Sequence, residues 1–326
     1  MNIAIMGKIH PDGLELFKKN GLSFFEIENF EEKNLILNLK NVDGIVLRTA
    51  KLTNSVISEC KSLKIISRHG VGYDNVDLEY LNKNNIGLGI TGTSNAISVA
   101  EHVMSMFFTI TKRMNDYDQL VKSGNFKKKY DLGDFFELYN KNVLILGFGR
   151  IGQALAKRCL GFEMKVYVYD PYVKENIIKK NNCIPIEKNE AFEIADYISI
   201  HLPLNDKTRN FISEKEFGMF KKNMILVNTS RGGIINEKEL YNALNEKKIF
   251  GAGLDVFETE PPSNDNPLLS LNNIVLTPHN AALTLESRKR MSIESCKNVI
   301  DFLLIKKSLN INNFVNWNFI KNYRFK

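Results

Sequence analysis

The sequence predicts an α/β protein built from two doubly wound parallel sheets. Short apolar runs alternate with amphipathic stretches along the chain, and this alternation is typical of parallel sheets with helices on both faces. The strand-like runs are continuously apolar, as expected for strands that are covered on both sides. Two long helical patterns divide the chain into two α/β units, one before the first long helix and one between the two.

The predicted elements follow from these patterns in chain order. The strand-like runs are residues 2–6, 44–47, 64–67, 143–146, 165–169, 197–200, 224–228 and 274–276. Residues 94–123 contain no proline and have apolar residues at helical spacing, which predicts one long helix that stops at Gly124. A second long helix is predicted over residues 284–305. The tail, residues 310–326, is rich in Asn and aromatic residues, and its sequence leaves open whether it packs on the first unit.

Length and composition exclude several classes of protein. The 326 residues suggest about two domains, and 44% hydrophobic with 25% charged residues is an ordinary globular mixture, unlike a disordered chain or a collagen. The longest apolar run, residues 103–110, is far shorter than the roughly 20 residues that span a membrane. The N-terminus is too short and too polar for a signal peptide, so we expect a soluble cytoplasmic protein.

The charge and the cysteines argue against nucleic-acid and metal binding. The formal charge is 44 − 37 = +7, but the lysines are dispersed and form only one short run, residues 127–129. We therefore expect no nucleic-acid partner, while a small anionic substrate would suit a mildly basic protein. No two of the four cysteines have metal or redox spacing, so no metal site is predicted.

A glycine motif after the strand-like run at 143–146 predicts a dinucleotide site. Gly147, Gly149 and Gly152 form the pattern Gly-x-Gly-x-x-Gly, and a helical pattern follows. The first glycine permits a tight turn, the second lets the backbone approach a pyrophosphate, and the third lets the helix pack on the strand. The amides at the helix start would then face the phosphates.

Asp170 favours NAD as the dinucleotide. It ends the next strand-like run, 170 − 152 = 18 residues after the third glycine, where a carboxylate can accept both ribose hydroxyls of NAD and repel the 2′-phosphate of NADP. Pro171 and Tyr172 offer no compensating positive charge. The alternatives are a tight strand–helix turn with a surface Asp, and the similar turns of FAD and S-adenosylmethionine proteins.

Three later segments place polar residues just beyond strand-like runs, where open α/β sheets bind ligands. They are Ser-Arg-Gly-Gly at 230–233, Leu-Asp-Val-Phe-Glu-Thr-Glu-Pro-Pro at 254–262 and Thr-Pro-His at 277–279. Hydride transfer between NAD and a 2-hydroxy acid needs a group that moves the hydroxyl proton, and histidine is the usual one. A carboxylate orients such a histidine, and an arginine can bind the substrate carboxylate and polarise the carbonyl.

With these motifs in order after the glycine fingerprint, the chain resembles the D-isomer-specific 2-hydroxyacid dehydrogenase family, in particular its phosphoglycerate dehydrogenase and hydroxypyruvate reductase branches. The resemblance covers about residues 40–305. It implies that Arg231 binds the substrate, that His279 is the acid/base and that Glu260 is the partner of the histidine.

The resemblance implies further site residues. On the cofactor side they are Arg150, Ile151, Leu202, Pro203, Thr229 and Asp255, in addition to the glycines and Asp170. On the substrate side they are Arg48, Val71, Gly72 and Asn95. By motif position, His102 and His201 are structural. His69 fills the variable place of the family's glycine loop, and a basic His69 near Arg48 would favour a phosphate-bearing substrate.

The resemblance also implies an organisation and an activity. A Rossmann NAD-binding domain, residues 95–283, would be inserted in a flavodoxin-like substrate-binding domain, residues 1–94 and 284–326. A homodimer is expected, with the exposed apolar part of residues 97–136 as its interface. No residues remain for an added regulatory domain, so feedback through one is not expected.

The predicted activity is NAD-dependent interconversion of a D-2-hydroxy acid and its 2-keto acid, with 3-phosphoglycerate or a hydroxypyruvate- or glyoxylate-type substrate. The sequence leaves two alternatives. An NAD(H)-sensing binding protein of the same fold, similar to a co-repressor, would keep the same three residues with little turnover. A methyltransferase could use the glycine loop, but it would leave Arg231, Glu260 and His279 without a role.

Overall fold

A computed structural model describes residues 1–306 and 308–324 of the chain. Its strands are β1 (Asn2–Met6), β2 (Ser23–Ile27), β3 (Gly44–Leu47), β4 (Ile65–Arg68), β5 (Gly87–Gly89), β6 (Asn142–Leu146), β7 (Lys165–Tyr169), β8 (Ile184–Pro185), β9 (Tyr197–Ile200), β10 (Ile225–Asn228), β11 (Gly251–Leu254) and β12 (Ile274–Leu276). Its helices are α1 (Pro11–Lys19), α2 (Glu32–Leu39), α3 (Asn54–Glu59), α4 (Leu78–Lys83), α5 (Ala96–Thr111), α6 (Met114–Lys122), α7 (Arg150–Gly161), α8 (Glu175–Lys180), α9 (Lys188–Ile194), α10 (Glu214–Phe217), α11 (Glu237–Asn245), α12 (Leu285–Leu303) and α13 (Trp317–Arg324).

The chain forms two compact units. Unit 1 comprises Met1–Asn95 together with the chain from Leu283 onward, and unit 2 comprises Ala96–Ala282. The described residues form a five-stranded sheet and a seven-stranded sheet, and the strand pairs in both are parallel. The predicted fold class, an α/β protein with two doubly wound parallel sheets, is confirmed.

Unit 1 has the strand order β2-β1-β3-β4-β5, which is the flavodoxin-like order. Its sheet is covered on both faces, so successive residues of one strand belong to two different clusters of buried apolar side chains. Ile3 packs with Phe17 of α1 and Val299 of α12. Ala4 packs in the other cluster with Leu35 of α2. Continuous burial of this kind explains why the strands of unit 1 read as unbroken apolar runs.

Unit 2 has the strand order β12-β11-β10-β9-β6-β7-β8. Counted from β6, this is the Rossmann order with a seventh strand added at the β12 edge. β7 and β8 lie on one side of β6, and the strands from β9 onward lie on its other side, so the strand order reverses between β6 and β9. Open α/β sheets bind ligands at the carboxyl ends of their strands at such a reversal. The glycine turn after β6 and the segments after β9, β10, β11 and β12 therefore belong to one edge of the sheet.

The prediction of a single helix over residues 94–123 is wrong. Helix α5 ends at Thr111, and α6 begins at Met114 after Arg113, whose φ is 50°. The Phe136 N–H donates a hydrogen bond to the carbonyl oxygen of Thr111 at 3.1 Å, so a distant segment caps the end of α5. This cap depends on tertiary structure, and no glycine or proline marks the break in the sequence.

The described part of the tail packs on unit 1, which answers the question that its sequence left open. The Val315 N–H donates to the carbonyl oxygen of Leu88 at 3.0 Å, and the Leu88 N–H donates to Oδ1 of Asn316 at 2.8 Å. Ile320 is fully buried. The tail therefore extends the edge of the sheet at β5, a strand that, like β2, β8 and β11, was not among the predicted ones.

Three properties of the described residues bear on the site. None of their helices combines the length and the apolar character that crossing a membrane requires. No group of three or more of their His, Cys, Asp and Glu side chains could hold a metal ion. The cysteines at positions 60, 159, 183 and 296 are buried free thiols.

Candidate active site

The turn after β6 is shaped by close backbone approaches. Gly147 has φ 95°, and a Cβ there would lie 2.8 Å from the carbonyl oxygen of His201. A Cβ on Gly152 would lie 2.2 Å from the carbonyl oxygen of Gly147, so α7 starts directly against the turn. Around Gly149, by contrast, no atom lies within 4 Å of the Cβ position. This open cradle ahead of a helix fits the pyrophosphate of a dinucleotide.

The other predicted cofactor residues on this side flank the cradle. Arg150 and Ile151 are the first residues of α7, and no side chain caps that helix, so its first amides remain available to an anion. Leu202 and Pro203 follow β9, the neighbour of β6 in the sheet. Cδ2 of Leu202 lies 3.3 Å from the position that a Cβ on Gly147 would occupy. The sheet order thus brings these four residues to the glycine turn.

Asp170 is anchored beside the glycine turn at the end of β7. Its Oδ2 accepts a hydrogen bond from the Phe148 N–H at 2.8 Å, and its Oδ1 accepts one from the Tyr172 N–H at 2.9 Å. The carboxylate is therefore oriented by backbone amides before any ligand binds. Because each carboxylate oxygen has two acceptor positions, both oxygens can still accept a ribose hydroxyl.

The loop after β10 holds Arg231. The side chain of Asn228 fixes this loop, because its Oδ1 accepts from the Ser230 N–H at 3.0 Å and its Nδ2 donates to the carbonyl oxygen of Arg231 at 2.8 Å. A Cβ on Gly232 would lie 1.8 Å from the carbonyl oxygen of Phe257. The glycine that follows Arg231 therefore lets this loop contact the loop that carries Glu260.

His279 and Glu260 form a direct pair. Nδ1 of His279 lies 2.7 Å from Oε2 of Glu260, and the other carboxylate oxygen, Oε1, accepts from the Phe257 N–H at 3.1 Å. With Nδ1 donating to the carboxylate, Nε2 is the nitrogen that can exchange a proton with a ligand. The His279 side chain is 49% exposed and that of Glu260 is 38% exposed, so a ligand can reach the pair.

Asp255 organises the loop that carries His279. It is 1% exposed, and its Oδ1 accepts from the Thr277 hydroxyl at 2.6 Å and from the Asn280 N–H at 2.8 Å. Its Oδ2 accepts from the Ala281 N–H at 3.0 Å. These bonds hold the residues on both sides of His279, whose own φ is 50°. A contact of Asp255 with the cofactor stays a prediction.

Helix α5 supports the same loop, and sequence reasoning missed this support. Ser98 donates its hydroxyl to the carbonyl oxygen of Ala281 at 2.6 Å. Nε2 of His102 lies 3.0 Å from Oγ1 of Thr277, and a structural role for His102 stays a prediction. The signal was present in the sequence, since Ser98 and His102 are four residues apart and lie on one helix face.

In unit 1, the glycine loop after β4 is held by Arg68. Its Nε donates to the carbonyl oxygen of Gly72 at 2.7 Å, and its Nη1 donates to the carbonyl oxygens of Leu47, at 2.9 Å, and of Arg48. Arg68 therefore ties the loop with Val71 and Gly72 to the segment with Arg48, so the predicted substrate residues of this part of unit 1 are neighbours. The Arg68 guanidinium thus donates hydrogen bonds to backbone carbonyl oxygens.

Several buried polar atoms of the predicted site have no hydrogen-bond partner among the described residues. In unit 2, Oγ1 of Thr229 is in this state, and in unit 1 Oδ1 of Asn95 is. Oγ1 of Thr91 is a third, and the Thr91 N–H donates to the carbonyl oxygen of Gly70 at 3.0 Å, which places it beside the glycine loop. An unpaired buried polar atom is costly, so such atoms fit a bound ligand as their partner.

The comparison with protein families decides between the possible readings of this geometry. The model described as "D-isomer specific 2-hydroxyacid dehydrogenase, NAD binding domain" matches residues 104–281, more than half of the chain. The chain belongs to the D-isomer-specific 2-hydroxyacid dehydrogenase family. The match covers the glycine turn, Asp170 and the segments with Arg231, Glu260 and His279, so unit 2 contains the NAD-binding domain of this family.

Relatives of this 2-hydroxyacid dehydrogenase family member carry several activity names. It is 37% identical over 294 residues to a D-3-phosphoglycerate dehydrogenase of Methanocaldococcus jannaschii, covering 89% of this chain but only 55% of the relative. It is 38% identical over 273 residues to a hydroxypyruvate reductase of Thermotoga maritima, covering 82% of this chain and 87% of the relative. The chain thus spans about half the length of the phosphoglycerate dehydrogenase, and most of the reductase.

Solved structures of the family have the same fold. A D-lactate dehydrogenase from Aquifex aeolicus, in complex with NAD and lactic acid, superposes with a TM-score of 0.84 at 29% sequence identity. The match covers 96% of this chain and 99% of the lactate dehydrogenase chain. The similarity therefore extends over both units of this family member and not only over its NAD-binding domain.

One expectation about the glycine loop of this family member is wrong. His69 is 7% exposed, and its burial lowers its pKa to about 4, an effect to which the charges of Arg48 and Arg68 add. The imidazole is uncharged near neutral pH, so His69 is not the basic group that would favour a phosphate-bearing substrate. Its Nε2 has no hydrogen-bond partner among the described residues.

Because burial keeps His69 uncharged, the stability of the protein should depend on pH. The unfolded chain binds a proton at His69 below about pH 6.5, but the folded chain binds it only near pH 4, so stability falls as the pH drops through this interval. By about pH 5 the contribution of His69 to this loss is about 2 kcal/mol, and the buried His201, whose pKa burial lowers to about 3, adds to the total. Urea unfolding at about pH 7 and about pH 5 measures it. His69→Asn should lose less stability between these pH values, and an unchanged loss would contradict the assignment.

A cavity at the other end of unit 2 does not belong to this site. Its volume is about 660 Å³, and its lining includes Asn223, Phe250 and Asn273, which precede β10, β11 and β12. None of the predicted site residues lines it. The predicted residues Arg231, Glu260 and His279 instead follow the carboxyl ends of these strands.

Proposed function

We propose that the protein is an NAD-dependent oxidoreductase that interconverts a D-2-hydroxy acid and its 2-keto acid. The observation that carries the proposal is the His279–Glu260 pair at 2.7 Å, on loops that also contact the Arg231 loop in the domain with the NAD cradle. A proton-transfer group, its carboxylate partner and a guanidinium are the groups that this reaction needs. Family membership supports the same activity.

The residues present fit NAD. The open position at Gly149, the uncapped start of α7 and the anchored carboxylate of Asp170 suit its pyrophosphate and its ribose. The buried unpaired hydroxyl of Thr229 suits a polar group of the same ligand. When bound, the coenzyme would supply a hydride to the substrate carbon as NADH and would accept one from it as NAD+.

The roles of the protein groups follow from their geometry. In the reducing direction, Nε2 of protonated His279 donates a proton to the carbonyl oxygen of the keto acid as the hydride reaches C2, and the product is the hydroxy acid. Glu260 accepts the hydrogen bond of Nδ1 and stabilises the imidazolium before the transfer. Arg231 binds the substrate carboxylate and polarises the carbonyl group. Oxidation of the hydroxy acid follows the same steps in reverse.

Unit 1 carries proposed substrate residues, and the uncharged state of its His69 favours an unphosphorylated substrate. The proposed contacts come from Arg48, Val71, Gly72 and Asn95. His69 is uncharged near neutral pH, and the Arg68 guanidinium donates to backbone carbonyl oxygens. An uncharged His69 adds no attraction for a phosphate group, which supports hydroxypyruvate or glyoxylate over 3-phosphohydroxypyruvate as the substrate.

A substrate panel tests the proposed function. The purified protein is assayed for NADH oxidation with hydroxypyruvate, glyoxylate and 3-phosphohydroxypyruvate, at enzyme concentrations up to that of the substrate. We expect turnover with at least one of them. NADH binding without turnover of any of the three would contradict the proposal and would favour an NAD(H)-sensing binding protein.

The cofactor preference is expected to depend on Asp170. In Asp170→Asn the amide oxygen can still accept a backbone hydrogen bond, but the charge that repels the 2′-phosphate of NADP is lost. We expect the KM for NADH to rise about tenfold and the preference for NADH over NADPH to fall about 10²-fold. Steady-state kinetics with both cofactors measure this. An unchanged preference would show that Asp170 does not contact the ribose.

The proposal includes a homodimer. Apolar side chains are exposed on the segment that follows α5, and Met114, Phe126, Tyr130 and Phe135 are 55%, 64%, 83% and 52% exposed. Monomers rarely expose contiguous patches of such side chains. We expect sedimentation to give twice the chain mass, and Phe126→Asp to shift the protein towards monomers. A monomeric wild-type protein would contradict the dimer.

Buried free thiols fit a reducing compartment, so we also propose a cytoplasmic location.

A further inference from the structure

The Asn-rich tail, which the proposed function does not use, is bound to unit 1 by buried side chains. Asn313 is 5% exposed and Asn316 is 2% exposed. The carbonyl oxygen of Asn313 accepts a hydrogen bond from the Ile90 N–H at 2.8 Å. Residues 90–95, which follow β5, are called the β5 loop. Asn313 is thus hydrogen-bonded to Ile90, the first residue of this loop.

Glu294 of α12 connects Asn313 with the end of the β5 loop. Nδ2 of Asn313 donates to Oε1 of Glu294 at 2.9 Å, and the Ser94 hydroxyl donates to Oε2 of the same carboxylate. Nε of Arg290 donates to the carbonyl oxygen of Ser94 at 2.9 Å. Asn313 therefore reaches both ends of the β5 loop, Ile90 directly and Ser94 through Glu294.

The β5 loop carries groups of the proposed substrate site. Asn95 follows Ser94, and its Oδ1 is buried without a partner among the described residues. The Thr91 N–H donates to the carbonyl oxygen of Gly70, so the loop also supports the glycine loop. Displacements of about 1 Å in a site can lower activity substantially, so the fixation of this loop matters for substrate binding.

We propose that Asn313 is a positioning residue that acts through Glu294 and Ser94 to hold Asn95 where it binds the 2-keto acid. The inference rests on the proposed function, because it assigns Asn95 to the substrate. Glu294 accepts from two donors, one in the tail and one in the β5 loop, and as a carboxylate it can only accept. The polarity of the Asn313–Glu294 bond is therefore fixed, and this makes the link testable.

The first test compares two substitutions in the tail. Asn313→Ala removes the donor to Glu294 and also the bond of the same Nδ2 to Oδ1 of Asn298 at 3.0 Å. Asn312→Ala, by contrast, changes a neighbouring exposed side chain that has no hydrogen bond to the described residues. We expect Asn313→Ala to raise the KM for the accepted keto acid about tenfold, with the Kd for NADH unchanged. Asn312→Ala should match the wild type. Equal KM values in the two variants would overturn the proposal.

Two further comparisons separate positioning from stability. Asn316→Ala removes the tail's bonds to the Leu88 N–H and the Ile86 carbonyl oxygen, so it should lower Tm without raising this KM. In Asn313→Asp the new carboxylate faces Glu294 and KM should rise, and adding Glu294→Gln should lower it again by restoring a donor and an acceptor. A KM increase in Asn316→Ala that matches that of Asn313→Ala, or no recovery in the double variant, would contradict the proposal.

Amide hydrogen exchange without substrate tests the link independently of turnover. We expect faster exchange over residues 90–95 in Asn313→Ala and no change in Asn312→Ala. If the wild type reduced no keto acid, the proposed function would fail, and the link from the tail to the β5 loop would be judged by exchange alone. Faster exchange with an unchanged KM would overturn the role in substrate binding, and unchanged exchange would overturn the link itself.

Discussion

The His279→Ala variant is expected to lose about 10³-fold in kcat and to bind NADH as tightly as the wild type. The imidazole is the group whose Nε2 can donate a proton to the substrate, because Nδ1 is occupied by Glu260 at 2.7 Å. Hydride transfer to a carbonyl carbon leaves an alkoxide if no acid protonates it, and this raises the barrier. Steady-state kinetics give kcat, and titration of NADH fluorescence gives the Kd.

A second histidine provides the control for this substitution. His10 precedes α1 and its Nδ1 accepts a hydrogen bond from the Asp12 N–H, far from the predicted site in the sequence. His10→Gln should keep the wild-type kcat. Retention of activity in His279→Ala would mean that another group transfers the proton, and loss of NADH binding would mean that the substitution disturbs the fold of unit 2.

The second large effect is expected for Arg231→Lys, which should lower kcat/KM for the keto acid about 10²-fold. The positive charge is kept, but the planar pair of donors that matches a carboxylate and a carbonyl oxygen is lost. The substitution removes the bond of Arg231 Nη1 to the carbonyl oxygen of Ser230. The side chain of Asn228 still binds the loop backbone, and Gly232 keeps its close backbone approach, so the loop should keep its conformation. Substrate saturation curves at fixed NADH concentration measure the change.

Arg209 offers a matched control for Arg231. It is exposed, and its Nη1 lies 3.4 Å from the Cβ position of Gly233, at the end of the same motif. Arg209→Lys makes the same chemical change beside the same loop and should leave kcat/KM within about twofold of the wild type. Equal losses in the two variants would show that the guanidinium of Arg231 has no specific role.

The sequence predicted best those parts of the fold that are dominated by burial. Strands such as β1 and β9 are buried on both faces and read as apolar runs with the bounds that the structure has. β5 was not predicted, because Gly87–Gly89 has two glycines and forms a strand only through its neighbour β4. The break after α5 was not predicted either, because Phe136, 25 residues after Thr111, caps the helix end.

The candidate site could be predicted as a set of residues but not as a network. The family resemblance pointed to His279 and Glu260, and the structure brings them into contact. Burial and hydrogen-bond partners depend on the folded chain, so the uncharged state of His69 was mispredicted, and the support that Ser98 gives to the loop of His279 was missed. The roles of these residues in catalysis and in binding stay predictions until variants are measured.

The most direct test of the central claim follows the hydride itself. The protein is incubated with hydroxypyruvate or 3-phosphohydroxypyruvate, whose reduction makes C2 a stereocentre, and with NADH that carries deuterium at the transferable position of the nicotinamide. The hydroxy acid enantiomers are then separated and analysed by mass spectrometry. We expect deuterium at C2 of the D-hydroxy acid. An L-hydroxy acid, an unlabelled product or no product would contradict it.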